Sequence, residues 1–331
     1  MSNKTKLAKS SNVSIVSNAV DDVNTGRLIH HKSRIQRLLQ SKELYLFCLP
    51  GIIITAIFHY WPIYGIQIAF RDYSVRRGIW NSTWIGWDHF IRFFSGPDAA
   101  QIIWNTFVLS IYGLAAGFPI PIILALLLNS LRWKRYRKVI QMVTYAPNFL
   151  STVVLCSMIL LFLSPRVGMV NTLISFFGVP SINFIGDWKY WRHIYVWSGV
   201  WAGMGWGSVV YFAALAGVSP ELHEAAIVDG ATKFQRVLHI DLPSILPVAV
   251  MLLILSFGSV LSIGFEKAYA LQNPLNLRVS KIISTYTYEI GILNADMAYS
   301  TAIGLFNSVV NAILLLTVNS VSRKLSDNAL W

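Results

Sequence analysis

Charge is scarce in this chain of 331 residues: Asp, Glu, Lys and Arg together make 13%, where a soluble globular protein carries about a quarter. A large solvated surface is therefore excluded. Acids are the scarcer sign, 15 against 27 bases. They adjoin one another only at Asp21-Asp22. Metal-assisted or acid–base sugar chemistry needs clustered carboxylates, so a membrane-bound sugar transferase is disfavoured, and no catalytic residue and no metal site is expected. Cysteine is nearly absent. Cys48 and Cys156 both fall in apolar runs, where a thiol packs as a small hydrophobe instead of forming a disulfide or holding a metal. No G-x-x-x-x-G-K-[ST] loop occurs, so the chain does not cradle nucleotide phosphates in that way.

Apolar sequence is abundant: 55% of residues are hydrophobic and the mean hydropathy is +0.54. A membrane-crossing helix needs about 20 apolar residues. Six runs qualify, at 44–68, 102–128, 140–163, 194–217, 244–265 and 301–321. The expected fold class is an all-α membrane protein with six transmembrane helices. The first run is too long for a signal-peptide core and is expected to stay as an anchor. Pro50, Pro62, Pro119 and Pro121 interrupt the first two runs and free backbone groups that neighbours must satisfy.

Basic residues orient the chain. The tail before residue 44, the loop at 129–139, the segment at 219–243 and the C-terminal tail hold 17 of the 27 Lys and Arg. Those segments alternate with three loops that hold the remaining 10. The short loop LRWKRYRK is the clearest inside marker. Both termini are expected on the cytoplasmic side, with the net charge of +12 explained by this asymmetry and not by nucleic acid. Residues 1–42 are expected as a basic tail, partly disordered. Within it, 27–42 either forms an amphipathic helix on the membrane lipid or stays a solvated basic tail. Residues 43–331 are expected as one six-helix domain.

The outward loops are long and aromatic. Trp80, Trp84 and Trp87 crowd one of them, and Trp188, Tyr190, Trp191 and Trp197 another. Such residues are ordinary membrane-belt anchors or contacts for a docked protein.

The polar island SPELHEAAIVDGATKFQRVLHIDLP at 219–243 carries the strongest local signals. Ser219, Pro220 and Glu221 read as a helix start, and Gly230 as a helix stop. Thr232 caps a second short helix bearing Phe234, Val237 and Leu238, and Pro243 limits its length. The result is a helix–glycine–helix knuckle. Its spacing, Glu224-Ala225-Ala226, then Asp229-Gly230-Ala231, then Ile240-x-Leu242-Pro243, resembles the coupling loop in permease subunits of ATP-binding cassette importers. Further stretches (LPGIIITAIFHYWPIYGIQIAFRDY, IWNSTWIGWDHF, GVWAGMGWGSVVYFAALAGVSPELHEAAIVDGA, GFEKAYALQNPL, YSTAIGLFNSVVNAILL and the terminal Leu330-Trp331) resemble the branch serving oligosaccharides and polysaccharides. This likeness covers about 43–331.

The resemblance implies a type I importer permease fold and a heterodimer with a second, related permease. It further implies two ATPase subunits that carry ATP and Mg, an extracytoplasmic solute-binding protein, and alternating access. No cofactor is expected on this chain. Glu224, Ala225, Ala226, Asp229, Gly230, Phe234 and Val237 are the residues expected to meet the ATPase. The two alanines keep the first helix slim, the acids offer hydrogen-bond acceptors, and Phe234 and Val237 suit an apolar cleft. For the sugar path, Trp201, Trp206, Tyr211, Asn307 and Asn311 offer flat faces and amides. The alternatives there are close packing beside Gly199, Gly203, Gly205 and Gly207, and asparagine bonding between helices. Trp80, Trp84, Trp188, Glu266 and Lys267 are placed toward the binding protein, although Glu266 and Lys267 can also simply pair. A rival reading is an ion-coupled carrier working without an ATPase. Such carriers keep ionisable residues in mid-membrane, whereas the acids here fall in loops or at span edges.

Overall fold

The computed structural model describes residues 42–325. The expected tail, apart from Lys42, and the terminal Leu330-Trp331 lie outside the described residues. The chain forms two units, Met1–Tyr64 and Gly65–Trp331. In the first, α1 (Lys42–Thr55) carries Pro50 and runs into a π turn at Ala56–Tyr60. The apolar stretch Leu46–Phe70 is long enough to cross a membrane.

In the second unit, a two-residue hairpin pairs β1 (Arg71–Asp72) with β2 (Thr83–Trp84). The Arg71 guanidinium closes it by donating to the carbonyls of Ile79 and Ser82 at 3.0 and 3.1 Å. α2 (Asp88–Phe94) follows. α3 (Ala99–Gly117) and α4 (Pro119–Ser130) then form one apolar stretch of 32 residues. Pro119 and Pro121 sit in the first turn of α4, where a missing N–H costs least.

The expected third span, 140–163, is not one helix. α5 (Lys134–Tyr145) and a 3-10 turn at Ala146–Phe149 meet α6 (Thr152–Phe162) at 101°. Leu150 and Ser151 are extended, and the Ser151 hydroxyl caps α6 by accepting from Val154 N at 3.3 Å. The 11 residues of α6 rise only about 16 Å, half of a hydrocarbon core of about 30 Å. After α7 (Met169–Ser175) comes α8 (Trp188–Leu215), 28 residues long. α8 is the central helix, packed on α3, α4 and α5.

α9 (Pro220–Val228) and α10 (Lys233–Arg236) form the polar island. Pro243 does not end the second of them. A π turn at Val237–Asp241, in which Leu242 N reaches Val237 O, joins α10 to α11 (Leu242–Phe257). The wider turn accommodates a proline that cannot donate to a normal i−4 carbonyl. The expected fifth span therefore begins earlier, and Lys233–Phe257 is one continuous apolar helix. α15 (Met297–Leu325) is the last helix among the described residues.

The segment between α11 and α15 is more than a loop. It forms α12 (Phe265–Ala270), α13 (Leu277–Ser280) and α14 (Ile283–Tyr288). Leu271, Val279 and Ile282 are buried with Leu109, Trp191 and Tyr195 in one cluster. Trp191 is accordingly neither a belt residue nor a docking residue: it is fully buried, and its Nε1 donates to Leu271 O at 3.0 Å. Asn105 of α3 is equally buried and ties this segment down. Its Nδ2 donates to the carbonyls of Arg278 and Lys281 at 2.9 and 3.0 Å, and its Oδ1 accepts from Arg192 at 2.8 Å. Asn105→Leu takes this partner from Lys281 O and from the Arg192 guanidinium, at about 1–3 kcal/mol each, while Arg278 O keeps Gln101 Nε2 at 3.2 Å. A clear fall in the thermal midpoint of the detergent-solubilised protein is the expected result, with Asn105→Gln falling less.

Candidate functional site: the knuckle and the clefts beside α8

The knuckle is built by local chemistry. The Ser219 hydroxyl accepts from Glu221 N at 3.3 Å and opens α9, with Pro220 in the first turn. At the far end Gly230 takes φ +81°. Gly230 N donates to Ile227 O at 3.0 Å and Ala231 N to Ala226 O at 2.8 Å, the paired bonds of a Schellman stop. Thr232 and Gln235 then form a reciprocal capping box: Gln235 N donates to Thr232 Oγ1, and Thr232 N donates to Gln235 Oε1 at 2.7 Å. Two short helices are thus fixed at a set angle by their own caps.

No residue of α9 is buried. Glu224, Ala225 and Asp229 are exposed and Ala226 half-buried. Among the described residues neither Glu224 nor Asp229 has a side-chain ion pair or hydrogen bond. The apolar side chains point outward as well: Val228 is 87% and Phe234 74% exposed. Val237 parts company with Phe234 and lines a cleft of about 420 Å³ together with Asn129, His223, Glu224, Lys233 and Asp241. Such a surface, apolar with free acids at its edge, is suited to a protein partner.

Asp241 is a site residue that the sequence left in a loop. It is buried inside the π turn, with Oδ1 at 3.4 Å from His223 Nε2 of α9 and 3.3 Å from Asn129 Nδ2 of α4.

The expected sugar-path residues do not converge. Trp201 lines an apolar groove with Leu155, Met158 and Phe162. Trp206 lies on a different cleft, beside Pro121 and Tyr211. Tyr211 is buried in a core with Ala125, Leu215 and Ile245. Asn311 ties α15 to the turn that follows α11: its Oδ1 accepts from Leu261 N and its Nδ2 donates to Ser262 Oγ, each at 3.0 Å. Asn307 Oδ1 is buried without such a bond.

A third cavity, of about 640 Å³, opens where the broken third span meets α8 and α12. Pro147, Asn148, Thr152, Tyr195, Gly199, Glu266 and Lys267 line it. Glu266 and Lys267 do not pair. The Lys267 ammonium donates to Tyr195 O at 2.6 Å and lies 4.7 Å from the centre of the Tyr195 ring. Burial pulls its pKa down to about 8. The remaining expected contacts, Trp80, Trp84 and Trp188, are 76%, 60% and 49% exposed. Trp84 stacks on Phe70 at 5.5 Å, and the Arg278 guanidinium lies 5.7 Å from the Trp188 ring.

Helices of this length around α8, with a capped helix–glycine–helix knuckle between the fourth and fifth spans, define a multi-pass permease with the type I ABC importer fold. The chain belongs to the family described as binding-protein-dependent transport system inner membrane component, whose model matches residues 117–327. It is 41% identical to the polygalacturonan/rhamnogalacturonan transport system permease protein YteP of Bacillus subtilis, over 91% of this chain and 94% of that one. It is 42% identical to Protein LplB of the same species, over 89% and 92%. A crystal structure of a bacterial ABC transporter involved in import of the acidic polysaccharide alginate contains a chain that superposes with a TM-score of 0.82. The two share 37% identity over 88% of this chain and 98% of that one. A second structure of that transporter, with an alginate pentasaccharide-bound periplasmic protein, has a chain that matches equally, at TM-score 0.82.

Proposed function

We propose that this chain is one permease of a heterodimeric pair that imports oligosaccharides or polysaccharide fragments across a bacterial cytoplasmic membrane by alternating access. A solute-binding protein delivers the sugar from outside. Two separate ATPase subunits hold ATP and Mg and seat on the loop at 219–243 from the cytoplasm, the side on which both termini also lie. Glu224, Ala225, Ala226, Asp229, Gly230, Phe234 and Val237 form the seat. The observation that carries this reading is the knuckle itself: rigidly capped at both helices, with no residue of either short helix fully buried, and with Val228 and Phe234 turned outward. The polysaccharides named for the relatives support the sugar class. The cavity at the break in the third span is the preferred stretch of the path, because it brings polar side chains against a tyrosine face. Trp80, Trp84 and Trp188 remain assigned to the binding protein. Trp201 and Trp206 are kept as path residues on two separate clefts, Asn307 as a path residue on α15, and Tyr211 and Asn311 as their structural support.

Reconstitution tests this. Vesicles holding the chain with its native partners should accumulate labelled galacturonan or alginate oligosaccharides only with ATP and binding protein. Vesicles holding the chain alone should accumulate none. Uptake by the lone chain under an ion gradient would overturn the assignment.

A further inference from the structure

No residue of α9 is fully buried against its own chain, yet a lever must be joined to what it moves. Backbone continuity at Val218-Ser219 and Gly230 joins it at its ends only. Among the described residues one side-chain polar contact runs from α9 to the spans: His223 Nε2 to Asp241 Oδ1, 3.4 Å. The same oxygen accepts from Asn129 Nδ2 at the end of α4. One buried carboxylate atom therefore meets the knuckle, the second span and the fifth span together. Its position in the fifth span is the π turn at Val237–Asp241, a local widening of the helix of the kind found at functional sites. A carboxylate buried to this degree (Asp241 is 3% exposed) is costly unless partners satisfy it. An apolar residue would pack that position at less cost, so stability alone does not account for the acid.

We propose that the His223–Asp241 pair, steadied by Asn129, is the strut through which movement of the knuckle reaches the fifth and second spans. His223 and Asp241 are positioning residues and touch no substrate. The inference rests on the reading of 219–243 as the seat of an ATPase and names the internal link that this reading requires.

The test uses the whole complex, purified with its native partners and reconstituted. In this chain Cys48 and Cys156 are replaced by Ala, and Gly203→Cys, at a position where an added Cβ meets nothing within 4 Å, places a reporter on the 640 Å³ cavity. ATP hydrolysis and the rate of labelling by a membrane-impermeant maleimide are read in the same vesicles, with and without ATP. With His223 and Asp241 intact, ATP should change the labelling rate. In His223→Ala and in Asp241→Asn, hydrolysis should continue while the ATP-dependent change shrinks at least about fivefold, the low end of coupling between sites. The exchange His223→Asp with Asp241→His should restore much of it. If the parent complex hydrolyses no ATP, or hydrolyses it without changing the labelling, the functional reading fails and takes the strut with it. If the parent responds and both single variants respond equally, the strut alone is overturned. It is also overturned if hydrolysis and labelling fall together with the amount of assembled complex, because the pair then only holds the fold.

Discussion

Gly230→Pro should abolish ATP-driven uptake while the protein still reaches the membrane in normal amount. Gly230 sits at φ +81°, and proline is fixed near −65°. Proline also removes the N–H that donates to Ile227 O. Both losses fall on the stop that sets the angle between α9 and α10. A helix-breaking proline costs about 3 kcal/mol, a factor of about a hundred in the population of the correct knuckle. Nothing lies within 4 Å of a Cβ built at Gly230, so Gly230→Ala carries the dihedral cost alone, about 1–2 kcal/mol. Uptake should therefore rank Gly, then Ala, then Pro, at equal membrane abundance by immunoblot. Glu224→Arg should fail comparably for a different reason. Glu224 shares its cleft with Lys233 and Arg236, and a third base there removes the exposed acid and makes the surface offered to the ATPase strongly positive. Wild-type transport by both Gly230→Pro and Glu224→Arg would remove the knuckle from the mechanism.

The knuckle was legible because its signals are local. Ser219, Gly230 and Thr232 each act within four residues of themselves, and a sequence displays such spacing directly. The apolar runs were legible because length and hydropathy suffice to find a helix able to cross a membrane. The broken third span was not. Hydropathy is continuous through Leu150-Ser151, and the break depends on two extended residues between Pro147 and a serine cap. Pro147-Asn148 followed by Ser151-Thr152 was the available signal. Trp191 was misjudged for a related reason. Its burial comes from the folding back of 265–288, whose helices are too short to show a period and whose contacts are distant in sequence. Asp241 was hidden by Pro243, which reads as a boundary but is absorbed by a π turn. Asn307 and Asn311 share a helix face by spacing, yet only the position of the 261–262 backbone reveals what Asn311 binds.

The break in the third span needs a clamp, and the glycines of α8 indicate where it lies. A Cβ at Gly205 would sit 2.1 Å from Thr144 O and 2.5 Å from the Thr144 carbonyl carbon. Both are backbone atoms at the end of α5, and neither can rotate aside. At Gly203, two residues earlier, an added Cβ meets nothing within 4 Å. At Gly199 it meets only the flexible end of Lys267, at 3.0 Å. Replacement by Ala should separate the three. Gly203→Ala should be neutral or slightly stabilising, because Ala gains up to about 1 kcal/mol of helix propensity over Gly. Gly199→Ala should change little once the lysine shifts. Gly205→Ala should lose about 1–3 kcal/mol or more, the cost of overpacking a tight contact, offset only in part by that propensity gain. The thermal midpoint in detergent should drop for Gly205→Ala alone, and Gly205→Leu should fail to accumulate. Close helix approach through small residues is how membrane helices gain contact without a hydrophobic drive. Here it holds α5 against α8 one turn before Pro147, so the chain can turn by 101° and leave the cavity open beside it. Equal stability of Gly205→Ala and Gly203→Ala would show that α5 is free to slide on α8, and the bend would then need another cause.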